Sequence, residues 1–528
     1  MNNFNRHTHP RLFHLLDTEQ QELLRGGLKG IEKESLRIST QGMIAQTPHP
    51  KVLGSALMHP FITTDYSEAL LEFITPPFAE ADAMLEFMRQ IHQFVYPNIG
   101  DELLLSTSMP CGIDGDLSIP IAEYGSSNIA KMKHIYRKGL WHRYGRSMQS
   151  IAGIHFNYSV PEKLWPALFA QQTEFSDLPA FINHAYFGLV RNFQKTGWLI
   201  LYLFGASPAI CKSFFGSRPH LMAQFEEFDN GSLYHPYATS LRMSDIGYKS
   251  KNQENLKIDY NSLAGYVETL TQAISTPYPE YEKIGVKDGE EYKQLNCNIL
   301  QIENEFYSTM RPKQIIASGE KPTLALKRRG VRYVELRSLD LNLFSPVGIE
   351  LSTTYFLEAF LLNCLLQESP LHQGQEVQIN NQNQLKVAHA GRQPGLVLNN
   401  HQGEITLNAW ANDILAAMQP VCAVLDAGNP AKPYSAALEL QQALVNNPDL
   451  TPSARILAEM GNDQQCFGQY ALVQSKKHQA YFKSSSLDPK LGNDFQKMAE
   501  VSWEQQSALE QQDALDFDSF LTQYFSQH

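Results

Sequence analysis

The stretch Gly30-Ile31-Glu32-Lys33-Glu34-Ser35-Leu36-Arg37-Ile38 decides how the rest of the chain is read. It lies between Gly26-Gly27 and the turn residues Gln41-Gly42. As a β-strand its side chains alternate between faces. Glu32, Glu34 and Leu36 then share one face, and Ile31, Lys33, Ser35 and Arg37 share the other. Two carboxylates on one face repel each other. A fold accepts that when a cation or a ring of donors sits between them. A solvated strand with scattered charge is the plainer alternative, and this stretch alone leaves both open.

Other acidic segments downstream match it in kind. In Ile62-Thr-Thr-Asp65-Tyr66-Ser-Glu68-Ala-Leu-Leu-Glu72-Phe-Ile-Thr75, Asp65 followed by Glu68 reads as a helix-capping box. If Leu70 to Thr75 is instead a strand, Glu72 interrupts an apolar run and needs a partner. Ser147 to Val160 alternates as a strand, with Gln149, Ile151, Gly153, His155 and Asn157 on one face. Gln301 to Tyr307 reads as a strand with Glu303, Glu305 and Tyr307 on one face. Val331, Tyr333, Glu335 and Arg337 share a face of a further strand. A Glu beside an Arg there is either a buried ion pair, which is costly, or a metal ligand next to a phosphate ligand.

Basic residues cluster at Lys131, Lys133, His134, Arg137, Lys138, His142 and Arg143. They form either a solvated helix face or a phosphate-facing surface; Arg311 and Lys313 add to the available cations. The segment Tyr234 to Tyr248 concentrates aromatic, hydroxyl and charged groups around Arg242. That arginine can fork onto a carboxylate, or simply pair with Asp245.

Composition narrows the classes. The 528 residues are 43% hydrophobic and 19% charged, which is globular. With 43 basic and 55 acidic residues the formal charge is −12, which argues against nucleic-acid binding. The six cysteines contain no Cys-x-x-Cys pair, so neither a zinc site nor a disulfide framework is expected. Met1 to Pro10 lacks the apolar core of a signal peptide, and Trp198 to Ala206 is too short to cross a bilayer. A cytoplasmic protein without membrane association is expected. One catalytic domain spans 1–528 in this reading. A sheet-based core occupies about 25–350, and a helical supporting region about 351–528. Helices are expected at 11–25, 79–99, 180–204, 350–368, 405–425, 434–446, 452–460 and 494–525, with an exposed loop at the Gln- and Asn-rich 369–385. There is no Walker P-loop, His-Glu-x-x-His or Gly-x-Ser-x-Gly motif. Strands bearing carboxylates at period two, with cations nearby, suit Mg²⁺ and phosphate handling.

The exact words go further. Gly30 to Ile38, Ile62 to Pro76, Tyr202-Leu-Phe-Gly-Ala-Ser-Pro-Ala209, Tyr237 to Tyr248, and Glu335-Leu-Arg-Ser-Leu-Asp340 resemble the bacterial glutamate–cysteine ligases, of the proteobacterial type. The likeness is dense over about 25–350 and thinner to the C-terminus, as at Asn447 to Leu457. It implies an α+β, glutamine-synthetase-like fold: a curved, mostly antiparallel sheet funnel with helices outside. It implies ligation of L-glutamate to L-cysteine with ATP, the first step of glutathione synthesis, in a monomer subject to inhibition by glutathione. By matching motif positions, Glu32, Glu34, Asp65, Glu72, His155 and Glu335 would ligate two or three Mg²⁺ ions, with Mn²⁺ as a substitute. Arg337 would contact the transferring phosphoryl group beside Glu335. Arg242 would hold the cysteine carboxylate, and Tyr66, Tyr136, Tyr248 and Tyr307 would line the cysteine pocket. Tyr66 stands where the resemblance leads one to expect Phe. Lys133, Arg311 and Lys313 are assigned to phosphates on charge. A ligase of the same fold for another amine, and a binding protein that keeps the fold without catalysis, are the competing readings.

Overall fold

The structure, a computed structural model, describes residues 9–216, 218–247, 253 and 256–527. Its centre is an antiparallel sheet of seven strands: β1 (Leu28–Ile38), β2 (Ile62–Thr64), β3 (Leu70–Ile74), β4 (Leu103–Leu104), β5 (Ile154–Ser159), β6 (Met310–Lys313) and β7 (Tyr333–Leu339). The order across the sheet is β6-β7-β5-β1-β3-β2, with β4 pairing the far end of β1. The expected α+β sheet with helices outside is what the chain forms.

β1 is the central strand, and both of its faces are covered. On one face Lys33 Nζ meets His92 Nε2 at 2.6 Å, on the helix Ala81–Val95. Lys29 on the same face forms a buried ion pair, 2.8 Å long, with Glu358 of the helix Leu351–Leu366. Those helices close the back of the sheet, where Phe73 also packs edge-on against His92. The other face carries Glu32 and Glu34, as period-two alternation requires.

Register then fixes what Glu32 and Glu34 face. Glu32 pairs with His155 on β5, and Glu34 pairs with Glu72 on β3. Glu335 pairs with Asn157 on one side and Arg311 on the other. Between Leu336 and Leu339 the β7–β5 register shifts by one residue. Such a bulge re-aims side chains locally, and Arg337 lies inside it.

Several expectations are corrected. Residues 301–307 are not a strand: Glu303–Glu305 is a single 3₁₀ turn. Glu305 is held there by Arg143 Nη1 (2.8 Å), Tyr144 Oη (2.7 Å) and the Gln301 amide (2.7 Å), and Glu303 accepts the Thr323 hydroxyl (2.5 Å). Asp65 and Glu68 form no capping box, because 65–69 is the turn joining β2 to β3. The Glu68 carboxylate instead accepts the backbone amides of His49 and Glu123. Gln149 ends a helical turn, Arg146–Gln149, rather than starting a strand. The 11–25 segment is a helix, Pro10–Asp17, followed by a 3₁₀ turn, Gln21–Leu24. The helix expected over 180–204 breaks at Gly197 into Leu178–Thr196 and Trp198–Phe204.

The exposed loop expected at 369–385 is largely the helix Glu376–Ala390. Its Asn380, Asn383 and Gln384 are buried. Asn383 bonds both the carbonyl and the amide of Asn399 on a neighbouring hairpin. Amides that satisfy each other can be buried where charges cannot. The helix Phe467–Ser484 went unanticipated. The helix Pro489–Gln512 and the residue after it hold the start of the helix Asn128–Tyr144, through Glu510 to the Ser126 amide and Asp513 to the Asn128 amide. That helix carries Lys133, Tyr136 and Arg137 to the acidic face of the sheet.

Candidate active site

Three neighbouring strands build the first half of the site. His155 Nδ1 lies 3.0 Å from Glu32 Oε2 and 3.6 Å from Glu335 Oε1. Asn157 Nδ2 donates to Glu32 Oε1 at 2.9 Å. The ligand atoms of Glu32, His155 and Glu335 all lie within 4.8 Å of one another. Arg337 Nη1 donates to Glu335 Oε1 at 2.8 Å, and Lys313 Nζ stands 3.4 Å from Glu335 Oε2. Glu335 Oε2 is buried, yet has no hydrogen-bond partner among the described residues. A buried carboxylate oxygen without a hydrogen bond is costly unless cations offset it, and Lys313 does so only at ion-pair distance. Carboxylate oxygens with one imidazole nitrogen form a donor set suited to a hard divalent ion. The residues present therefore fit a metal.

Glu34, Glu72 and Asp65 build the second half. His155 joins the halves, its Nε2 lying 3.7 Å from Glu34 Oε1. Glu34 Oε2 accepts the Gly153 amide at 2.6 Å. Electrostatics separate the two halves. At Glu335 burial opposes ionisation, but Arg337, Lys313, His155 and Arg311 together hold the carboxyl well below its ordinary range. Glu32 is likewise lowered, burial being outweighed by His155 and Lys313. Glu72 is pushed well above its range by burial and by Glu32, Asp65 and Glu34. Glu34 is raised by burial, with Asp65 adding to it. Lys133 faces this second group: burial and Arg137 bring it down to about 8, against the pull of Glu72 and Asp65.

Arg242 lies beneath the first group. It is 2% exposed, its Nη2 donates to the Arg337 carbonyl at 3.0 Å, and its Nη1 is 3.8 Å from Asp340 Oδ1. The alternative partner, Asp245, pairs with His389 instead, at 2.7 Å. Asp340 is fixed by the Ala206 amide and the Ser207 and Ser240 hydroxyls. Gly153 presses on the guanidinium so closely that a Cβ there would come 2.0 Å from Nη2.

The remaining sequence-predicted residues divide. Tyr307 Oη accepts from Gln149 Nε2 at 2.8 Å, and the Tyr307 ring meets Tyr144 edge-on. Tyr136 is half-buried near Glu305, Arg137 and Arg311. Arg311 donates to the Asn304 and Phe306 carbonyls, so it braces the Glu303–Glu305 turn as well as facing Glu335. Tyr66 is 1% exposed, and its hydroxyl has no hydrogen-bond partner among the described residues. Arg146, Asp116 and Arg137 are its charged neighbours. Tyr248 lies outside the described residues. Gly153 and Asp340 were not singled out as site residues from the sequence, whereas Arg137 belonged to the basic cluster and Asn157 to the face of His155. Of these, Asp340 carried a signal, being the acid that closes the Glu335–Asp340 motif. A cavity of about 440 Å³ lined by Arg191, His372, His401 and Trp410 lies among the helices and holds none of the predicted residues.

One face of the antiparallel sheet gathers Glu32, His155 and Glu335, three groups able to hold a metal ion, beside Arg337, which defines an α+β protein with a cation-binding acidic face. The comparisons give the family. The sequence model of the glutamate-cysteine ligase family matches residues 12–387. A glutamate–cysteine ligase of Alcanivorax borkumensis is 48% identical over 525 residues, covering 98% of this chain and 99% of that one. One of Pseudomonas putida is 50% identical over 502 residues, 95% of each. The glutamate–cysteine ligase of Francisella tularensis, solved in complex with AMP, superposes with a TM-score of 0.89 at 35% identity, covering 95% of this chain and 98% of that one. A bifunctional glutathione synthetase of Pasteurella multocida shares the fold over 90% of this chain and 55% of its own, with a TM-score of 0.72 at 24% identity. The chain belongs to the glutamate–cysteine ligase family.

Proposed function

We propose that the protein joins the γ-carboxylate of L-glutamate to the amine of L-cysteine at the expense of ATP, giving γ-glutamylcysteine, ADP and phosphate. One observation carries the reading: Glu32, His155 and Glu335 converge beside Arg337, with one buried Glu335 oxygen lacking a hydrogen-bond partner. Glu32, His155 and Glu335 would hold one Mg²⁺, and Glu34, Asp65 and Glu72 a second, with room in the proposal for a third ion or for Mn²⁺. When bound, such ions neutralise phosphate oxygens and spread the charge of the transferring group.

The chain's own residues supply the rest. The γ-carboxylate is a poor acylating group because its oxygen leaves badly. Its in-line attack on the γ-phosphorus of ATP breaks the bond to the β-phosphate, releases ADP and makes that oxygen the bridge of a γ-glutamyl phosphate, from which phosphate leaves readily. Arg337, held by Glu335, would meet the equatorial phosphoryl oxygens, and a preorganised cation there needs no reorientation during transfer. Lys313 and Arg311 beside Glu335, and Lys133 facing Glu72 and Asp65, would add positive charge to the face. Arg242, held by the Arg337 carbonyl and Asp340, would fork onto the cysteine carboxylate. Tyr136, Tyr307, Tyr66 and Tyr248 would wall the amino-acid pocket. The cysteine amine then attacks the acyl carbon and phosphate leaves.

The proposal includes a single catalytic domain acting as a cytoplasmic monomer, and inhibition by glutathione, which carries both amino-acid groups. No described helix is long and apolar enough to cross a membrane. Glutamate labelled with ¹⁸O in its γ-carboxylate tests the intermediate. One label should appear in the released phosphate; phosphate without label would refute acyl-phosphate formation.

A further inference from the structure

Two thiols outside the acidic site come together from distant parts of the chain. Cys111 lies in the loop after β4, and Cys211 ends the short strand Ala209–Cys211. Their sulfur atoms are 2.8 Å apart, with the Cys211 thiol donating to Cys111 Sγ. Unbonded sulfurs ordinarily sit farther apart, and a disulfide bond is about 2.05 Å long. Closing that gap needs a sulfur displacement of less than about 1 Å. Both residues are free thiols, 4% and 9% exposed respectively. Gly468, at the start of the helix Phe467–Ser484, packs against both: a Cβ there would lie 3.4 Å from Cys211 Sγ and 3.9 Å from Cys111 Sγ. The half-exposed Cys466 is the third thiol of this neighbourhood.

The two segments also reach the active site. Three residues before Cys111, Ser108 accepts the Ala152 and Leu341 amides, through its carbonyl and its hydroxyl, at 3.0 and 2.7 Å. Four residues before Cys211, Ser207 bonds Asp340 and accepts the Arg242 amide. A bond between the cysteines would therefore tie together the segments that seat Gly153, Asp340 and Arg242.

We infer that Cys111 and Cys211 form a reversible disulfide when the protein meets a small hydroperoxide. The Cys211 sulfur, as thiolate, attacks a peroxide oxygen. The O–O bond breaks, the departing oxygen leaves as water or alcohol, and Cys211 becomes a sulfenic acid. The Cys111 sulfur then attacks Cys211 Sγ, the S–S bond forms and the S–O bond breaks, releasing water. The two thiols lose two electrons and two protons, and the peroxide is reduced. Cys211 is the more exposed of the two thiols and so meets the peroxide first.

The test uses the full-length protein with a small molar excess of hydrogen peroxide, followed by unfolding and alkylation without reductant. Peptide mass spectrometry should find Cys111 linked to Cys211, both protected from alkylation, with the four other cysteines alkylated. Dithiothreitol should restore both thiols, and Cys466→Ser should leave the linkage intact. Alkylation of Cys111 and Cys211 to the same extent as the others, or a linkage that always includes Cys466, would overturn the inference.

Discussion

Glu34 on β1 and Glu72 on β3 stand directly opposite each other across one antiparallel ladder. Like charges in that position destabilise a sheet, and both carboxyls are raised from their ordinary range, with burial the first cause. The proposed reason for keeping the pair is a cation between them. Glu72→Gln should then stabilise the metal-free protein by about 1 kcal/mol, the size of one opposed pair. It should also lessen the rise in melting temperature on adding Mg²⁺. Thermal melts of both proteins with and without MgCl₂ check this; an unchanged Mg²⁺ response would remove Glu72 from the metal site.

His59 makes stability depend on acid. Its Nδ1 accepts the Phe61 and Ile62 amides at 3.1 and 2.9 Å at the start of β2, and burial lowers the ring to about 4. The native state therefore favours the neutral ring. The contribution is present above the unfolded value near 6.5 and is lost as pH falls from there toward 4. About 3 kcal/mol is at stake by that linkage. Urea unfolding at pH 7 and 4.5 should show a smaller loss in His59→Asn than in the parent protein. Equal losses would mean that the ring is not neutral in the native state.

Gly153 is a positioning residue for Arg242. A methyl at 153 would meet Nη2 at 2.0 Å, so the guanidinium must move. Gly153→Ala should raise the KM for cysteine more than tenfold, a misplacement effect that remote substitutions are known to produce. ATP affinity should stay close to that of the parent. Initial rates at varied cysteine, with ATP binding measured separately, distinguish this from general damage.

Tyr66 buries a hydroxyl with no hydrogen-bond partner among the described residues. Removing an unsatisfied polar group recovers its desolvation cost, roughly 1–3 kcal/mol. Tyr66→Phe should therefore unfold at a higher denaturant midpoint in the absence of substrates. A lower midpoint would show that the hydroxyl is satisfied in solution.

The acidic face was legible because it obeys period two. Glu32, Glu34 and Glu335 sit at alternate positions of real strands, and Glu72 stood out as an acid within Leu-Leu-Glu-Phe-Ile. The same rule misread Glu303 and Glu305. Their alternation is accidental, because Arg143 and Thr323, distant in sequence, draw them into a turn. The helix Glu376–Ala390 was hidden because its buried side chains are amides rather than apolar groups. Nothing local to Arg242 pointed to Asp340, its partner 98 positions away, whereas Asp245 lay close at hand in sequence. Local pattern located the acidic residues of the sheet face; long-range pairing decided what holds them.

The most direct test of the proposed activity is ADP release by the purified protein with Mg-ATP and L-glutamate, with L-cysteine added, omitted or replaced by other amino acids. The expected result is ADP formed in step with γ-glutamylcysteine, dependent on cysteine. Its kcat/KM should fall at least about 100-fold in Glu335→Ala and Arg337→Ala, the scale of losing a preorganised electrostatic group. ADP release driven equally well by another amine, or no turnover in folded protein that binds ATP, would contradict it.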